Sequence, residues 1–79
     1  MDINRDSVEY RKAEQDLYYW QTGRLGGFKT ALWDAISKAD GTNRARLAEA
    51  FPESVDVYVR FSIEEGYYDK VAQKLSVVA

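Results

Sequence analysis

Neither a cysteine nor a histidine occurs in this chain of 79 residues, so whatever it folds into is held together by packing. Disulfide staples and thiolate metal sites are excluded, and the commonest metal ligand and general base is missing. A domain this short buries a smaller share of its surface than a larger one and is marginal alone. Large side chains can compensate. The chain has eleven aromatic residues, six Tyr, three Phe and two Trp, and each such ring buries about 150–250 Å² when packed. Homodimerisation is the other route to a sufficient core.

Glycines at 23, 26, 27, 41 and 66 and a single proline, Pro52, divide the sequence into helical pieces. The first predicted helix runs from about Ser7 to Gln21. Asp6 is its expected cap, with Glu9 at capping-box spacing, and Tyr10, Ala13, Leu17 and Trp20 share one face. After a glycine corner, a second helix is expected from about Gly27 to Ala39. Phe28, Leu32, Ala35, Ile36 and Ala39 follow the helical period there, and Trp33 falls off that face. A third helix is expected over Asn43 to Ala50 with Thr42 as cap. A fourth covers about Glu53 to Phe61, with Pro52 in its first turn. Val55, Val57, Val59 and Phe61 alternate as in a strand, but a lone strand would have nothing to pair with, so helix is preferred. A fifth runs from Glu65 or Tyr67 to Leu75. Ser62 and Glu65 again have capping-box spacing, and Gly66 is the alternative corner.

The expected fold is therefore all-α, a compact orthogonal bundle of four or five short helices in a single domain over residues 1–79. Its expected core is Tyr10, Leu17, Trp20, Phe28, Leu32, Ile36, Leu47, Phe51, Val55, Val59, Val71 and Leu75.

Catalytic signals are thin. Gly23-Arg24-Leu25-Gly26-Gly27-Phe28-Lys29-Thr30 approaches the phosphate-binding pattern G-x-x-x-x-G-K-[ST]. Phe28, however, replaces the glycine that lets the backbone wrap a phosphate, and no parallel sheet is available behind the loop. Glu64-Glu65 and Asp16 are carboxylates around which nothing assembles. No EF-hand-like run of acids is present. No catalytic residue, cofactor or metal is expected, and the chain is read as a non-enzyme. No apolar run approaches the ~20 residues of a membrane span, and the N-terminus lacks the basic and apolar stretches of a signal peptide. The expectation is a cytoplasmic protein without a membrane partner.

Two binding readings remain. Tyr18, Tyr19 and Trp20 occupy successive helical positions, about 100° apart, so not all can face one core. The same holds for Tyr67 and Tyr68. Tyr, Trp and Arg dominate protein interface hot spots. Tyr18, Tyr19, Trp33 and Tyr67 are thus the candidate partner-binding residues. Six acids lie between Glu49 and Asp69 against one base, Arg60, which favours a basic partner surface or is a set of solvated helix faces. The alternative is a helix-turn-helix-like DNA or RNA binder built on the helix pair at 31–51. Arg44 and Arg46 would stand at the start of its second helix, with Lys29 and Lys38 adding phosphate contacts.

From Gly27 to Tyr68 the chain reads G-F-x3-L-x3-I-x2-A-D-x2-N-x3-L-x3-F-P-E-x-V-x2-Y-x-R-F-x3-E-G-Y-Y. This pattern resembles short proteins of unassigned activity found in bacteriophage, prophage and plasmid gene sets. The resemblance implies a mobile-element accessory protein in a bacterial host. It carries over no catalytic residue. By analogy of context, it points to binding and inhibiting a host or phage protein.

Overall fold

The computed structural model describes residues 3–78. Five helices follow one another: α1 (Val8–Gln21), α2 (Gly27–Lys38), α3 (Gly41–Ala50), α4 (Pro52–Ile63) and α5 (Tyr67–Val78). Among the described residues there is no strand, so the alternating segment at 55–61 is helical. No helix is long and apolar enough to cross a membrane among these residues.

The helix starts correct two of the expected caps. Ser7, not Asp6, caps α1, its Oγ accepting from the Tyr10 N–H at 3.1 Å. Asp40, not Thr42, caps α3, accepting from the Asn43 N–H at 2.8 Å. In both cases the side chain that caps is the one whose backbone is already extended and three residues from a free N–H. Ser62 and Glu65 form no capping box. The Ser62 hydroxyl instead donates back to the Val59 carbonyl at 2.8 Å, and the corner is Gly66 with φ of 80°.

The glycine corner after α1 is a Schellman motif. The Gly23 N–H reaches the Trp20 carbonyl at 3.4 Å and the Arg24 N–H reaches the Tyr19 carbonyl at 2.8 Å. Closing both bonds requires φ of 74° at Gly23, a region costly for any residue with a Cβ. Nothing lies within 4 Å of where that Cβ would sit, so the cost is purely conformational. Gly23→Ala is expected to lower stability by about 1–2 kcal/mol, read from the urea midpoint at unchanged slope.

α4 is the central element and touches all four other helices, while α1 also packs on α5 and α2. Tyr10, Ala13 and Leu17 of α1, Trp33 of α2, Val57 of α4, and Tyr67 and Val71 of α5 form the buried cluster. Ile36 and Val55 are buried as well. Several core expectations hold: Tyr10, Leu17, Ile36, Val55 and Val71. Trp20, Leu32, Leu47, Phe51, Val59 and Leu75 are half-buried. Phe28 is the clear correction, at 73% exposed, while Trp33 is fully enclosed. At 100° per residue, α2 is turned by roughly one residue step from the orientation its apolar period suggests. The indole has more surface to bury than the benzyl group, and Trp33 rather than Phe28 takes the core position beside Trp20, with ring centroids 5.6 Å apart.

Candidate interaction surface

The four candidate contact aromatics are not equivalent in the fold. Trp33 and Tyr67 are buried, at 0% and 5% exposure, so neither offers a contact surface. Tyr18 and Tyr19 are half-buried, their rings 5.8 Å apart, with the Tyr19 hydroxyl taking a 3.3 Å bond from Gln15. Tyr18 also packs against the core cluster. Trp20 sits at the head of an aromatic group with Tyr58, Phe61 and Tyr68, its indole N–H donating to Asp34 at 2.9 Å.

Tyr67 is buried because it belongs to a polar network that ties α1, α4 and α5 together. Its hydroxyl donates to Glu14, and the Arg60 guanidinium lies over its ring, 4.2 Å from the centroid. Burial, then donation to Glu14, pushes the Tyr67 hydroxyl pKa well up. Arg60 grips Glu64 through two bonds of 2.7 and 3.2 Å and donates to the Tyr10 hydroxyl at 3.3 Å. Tyr10 in turn donates to Asp56 at 2.6 Å. Arg5, on the segment before α1, takes both Asp56 oxygens at 3.1 and 3.3 Å. Burial works to raise the Asp56 pKa, but the bonds from Arg5 and Tyr10 outweigh it and hold the carboxyl below its usual range. Two of the six acids between 49 and 69 are therefore engaged inside the molecule, and the stretch is not one free acidic face.

The four basic candidates are likewise separated. Lys29 reaches Asp16 on α1 at 3.2 Å. Arg44 folds back to donate to the Ala39 carbonyl at 3.0 Å and lies 5.4 Å from the Tyr58 ring centroid. Of these four, Lys38 and Arg46 are the two that are exposed and form no ion pair with the described residues. The expected quartet does not converge on one surface.

What the fold does bring together is an apolar stripe facing outward. Phe28, Leu32, Ala35 and Ala39 recur at helical spacing along one side of α2. With α2 turned to bury Trp33 and Ile36, that side is left open: Phe28 and Ala35 are exposed, and Leu32 and Ala39 half-buried. Beside it runs α3, in which no residue is fully buried. At one end the Phe28 and Phe51 rings meet, centroids 6.4 Å apart. At the other, Ala35, Lys38, Ala39, Asn43, Arg46 and Leu47 line a recess of about 390 Å³. The start of α2 thus faces the end of α3, and the end of α2 faces the start of α3. The two helices form an open antiparallel hairpin with a recess at its turn end.

Sequence reasoning missed this surface by assigning the stripe to the core. The available signal was two aromatics, Phe28 and Trp33, on different sides of one short helix. Only one side can face inward, and the larger ring has the larger drive to do so. Comparison with known protein families, curated proteins and solved structures finds no match for the chain.

Proposed function

We propose that this chain is a non-enzymatic binding module that engages a partner protein through the outward apolar face of α2 and α3. The observation that carries the reading is Phe28, a benzyl group left 73% exposed next to Phe51 on a continuous apolar stripe. Contiguous apolar surface of this kind marks interaction sites on small domains, and aromatic rings supply the dominant anchors of protein interfaces. The resemblance of residues 27–68 to mobile-element proteins makes a bacterial host protein the expected partner, and inhibition of that protein the expected consequence.

The test is retention from nuclease-treated bacterial lysate by immobilised protein, with Phe28→Ser beside the unsubstituted chain. Phe28→Ser leaves the core untouched, so the two proteins should melt within a few degrees of one another. A stoichiometric host protein is expected on the unsubstituted chain and should be lost from the variant. Equal retention by both would show that this face is not the contact.

A further inference from the structure

We infer that residues 3–6 form a strap across the apolar recess between α3 and α4, latched by Arg5 on Asp56, and that rising ionic strength releases it. The recess has a volume of about 370 Å³. Ala45 and Ala48 of α3 and Pro52, Val55 and Val59 of α4 give it apolar walls, and Ile3 closes one side. It lies on a different side of α3 from the recess that Asn43, Arg46 and Leu47 line. The strap is therefore independent of the face proposed above for a partner.

Local bonds give the strap its own shape. The Asn4 side chain accepts from the Asp6 N–H at 2.9 Å, and the Asn4 carbonyl accepts from the Ser7 N–H at 3.1 Å. A turn closed by its own side chain and backbone in this way does not depend on what lies beneath it. Its base is pinned to α1, where the Asp6 carbonyl accepts from Arg11 at 3.2 Å. Among the described residues, two attachments hold the rest of it down. Ile3 is half-buried on the recess and against the core cluster. Arg5 donates to both oxygens of Asp56, at 3.1 and 3.3 Å.

The latch is strong on one side and weak on the other. Asp56 is held in place by the hydroxyl of the buried Tyr10 at 2.6 Å. Tyr10 in turn accepts from Arg60, which Glu64 grips. All of these groups belong to the helices and stay where they are whether or not Arg5 is bound. The Arg5 side chain is 53% exposed, and an ion pair so exposed contributes little and is screened by salt. Glu49 and Asp56 line the recess and no base does among the described residues, so screening acts on the strap's cation in one direction only, towards release. Lifting the strap about the residues just before α1 takes Ile3 with it and uncovers the apolar walls beneath.

The test is cleavage by a protease that cuts on the N-terminal side of aspartate. Cutting before Asp6 requires the strap to lift, whereas cutting before Asp16 or Asp34, within α1 and α2, requires the fold itself to open. Each rate is taken relative to a free peptide of residues 3–11, which cancels any effect of salt on the protease. Asp56→Asn removes the charge, keeps an oxygen to accept from Tyr10 and leaves the strap sequence unchanged. Cleavage before Asp6 should rise about two- to fivefold in this variant, the range for an exposed ion pair, with Asp16 and Asp34 unaffected. Raising salt from about 0.01 to about 1 M shortens the Debye length from about 30 to about 3 Å. It should give a similar rise in the unsubstituted chain and none in Asp56→Asn. Ile3→Ala, measured against its own peptide, should raise cleavage about threefold or more through the loss of half-buried aliphatic carbons. Equal rates in Asp56→Asn and the unsubstituted chain, or no response to salt, would overturn the latch. No effect of Ile3→Ala would detach the strap from the recess and overturn the inference as well. A rise shared by Asp6, Asp16 and Asp34 would mean that the whole fold opens, and that no separate strap exists.

Discussion

Replacing Trp33 with alanine is expected to remove a large part of the protein's stability, whereas replacing Phe28 with alanine should cost less than about 1 kcal/mol. Trp33 is enclosed on every side, at 0% exposure, against Trp20 and the cluster formed by Tyr10, Leu17 and Val57. Emptying that volume costs about 3–5 kcal/mol for an aromatic side chain. A domain of this length has roughly 4–12 kcal/mol in total. The loss therefore takes a large part of the stability, and at the lower end all of it. Trp33→Phe is the informative companion. The Trp33 indole N–H is buried and unpartnered among the described residues, so the smaller ring gives up volume without giving up a hydrogen bond, and its cost should be well below that of alanine. Urea unfolding of the three variants checks the orientation of α2. If Phe28→Ala were the more damaging change, α2 would be turned the other way and the outward apolar stripe would not exist.

The second large effect is expected at Asp56. Its carboxylate receives Arg5 and Tyr10 and so fastens the segment before α1 to the middle of α4. Asp56→Ala removes a solvent-screened ion pair with the exposed Arg5 and the acceptor of the Tyr10 hydroxyl, and leaves that buried hydroxyl with only the bond it accepts from Arg60. A net loss of about 1–2 kcal/mol is expected. The same contact predicts the response to acid. Asp56 is held below its ordinary pKa in the folded chain, so the unfolded chain takes up the proton first as pH falls. Its stabilisation is fully present above the unfolded value of about 3.9 and is lost as pH drops through the lower folded value. Urea midpoints measured from pH 6 to pH 2 should fall below about pH 4, and Asp56→Ala should flatten part of that fall. A profile identical in the two proteins would remove Asp56 from the acid response. Tyr67 acts at the other extreme. Its raised folded pKa makes its contribution whole below about pH 10 and lost as pH rises through the folded value.

The division into helices was legible because it is local. Glycine and proline positions and the three-and-four spacing of Tyr10, Ala13 and Leu17 reflect steric and burial rules that act within a few residues. Cap identity was less legible, since Asp6 and Ser7, or Asp40 and Thr42, are all competent, and the choice depends on which residue's backbone becomes extended at the boundary. The candidate surface was hardly legible. Tyr18 and Tyr19 stay half-exposed as their crowding implied, but Trp33 and Tyr67 disappear into the interior. Lys29 and Arg44 are drawn to Asp16 and to the Ala39 carbonyl across distances that sequence spacing does not encode.

What the sequence determined by itself was an all-helical chain of four or five short segments with an aromatic interior and no thiol or imidazole chemistry. Only the tertiary structure decided which side of α2 faces in. An amphipathic period states that two sides differ, but the choice between Phe28 with its alanines and Trp33 with Ile36 depends on the volume that α1, α4 and α5 leave open, and that volume exists only once they have packed.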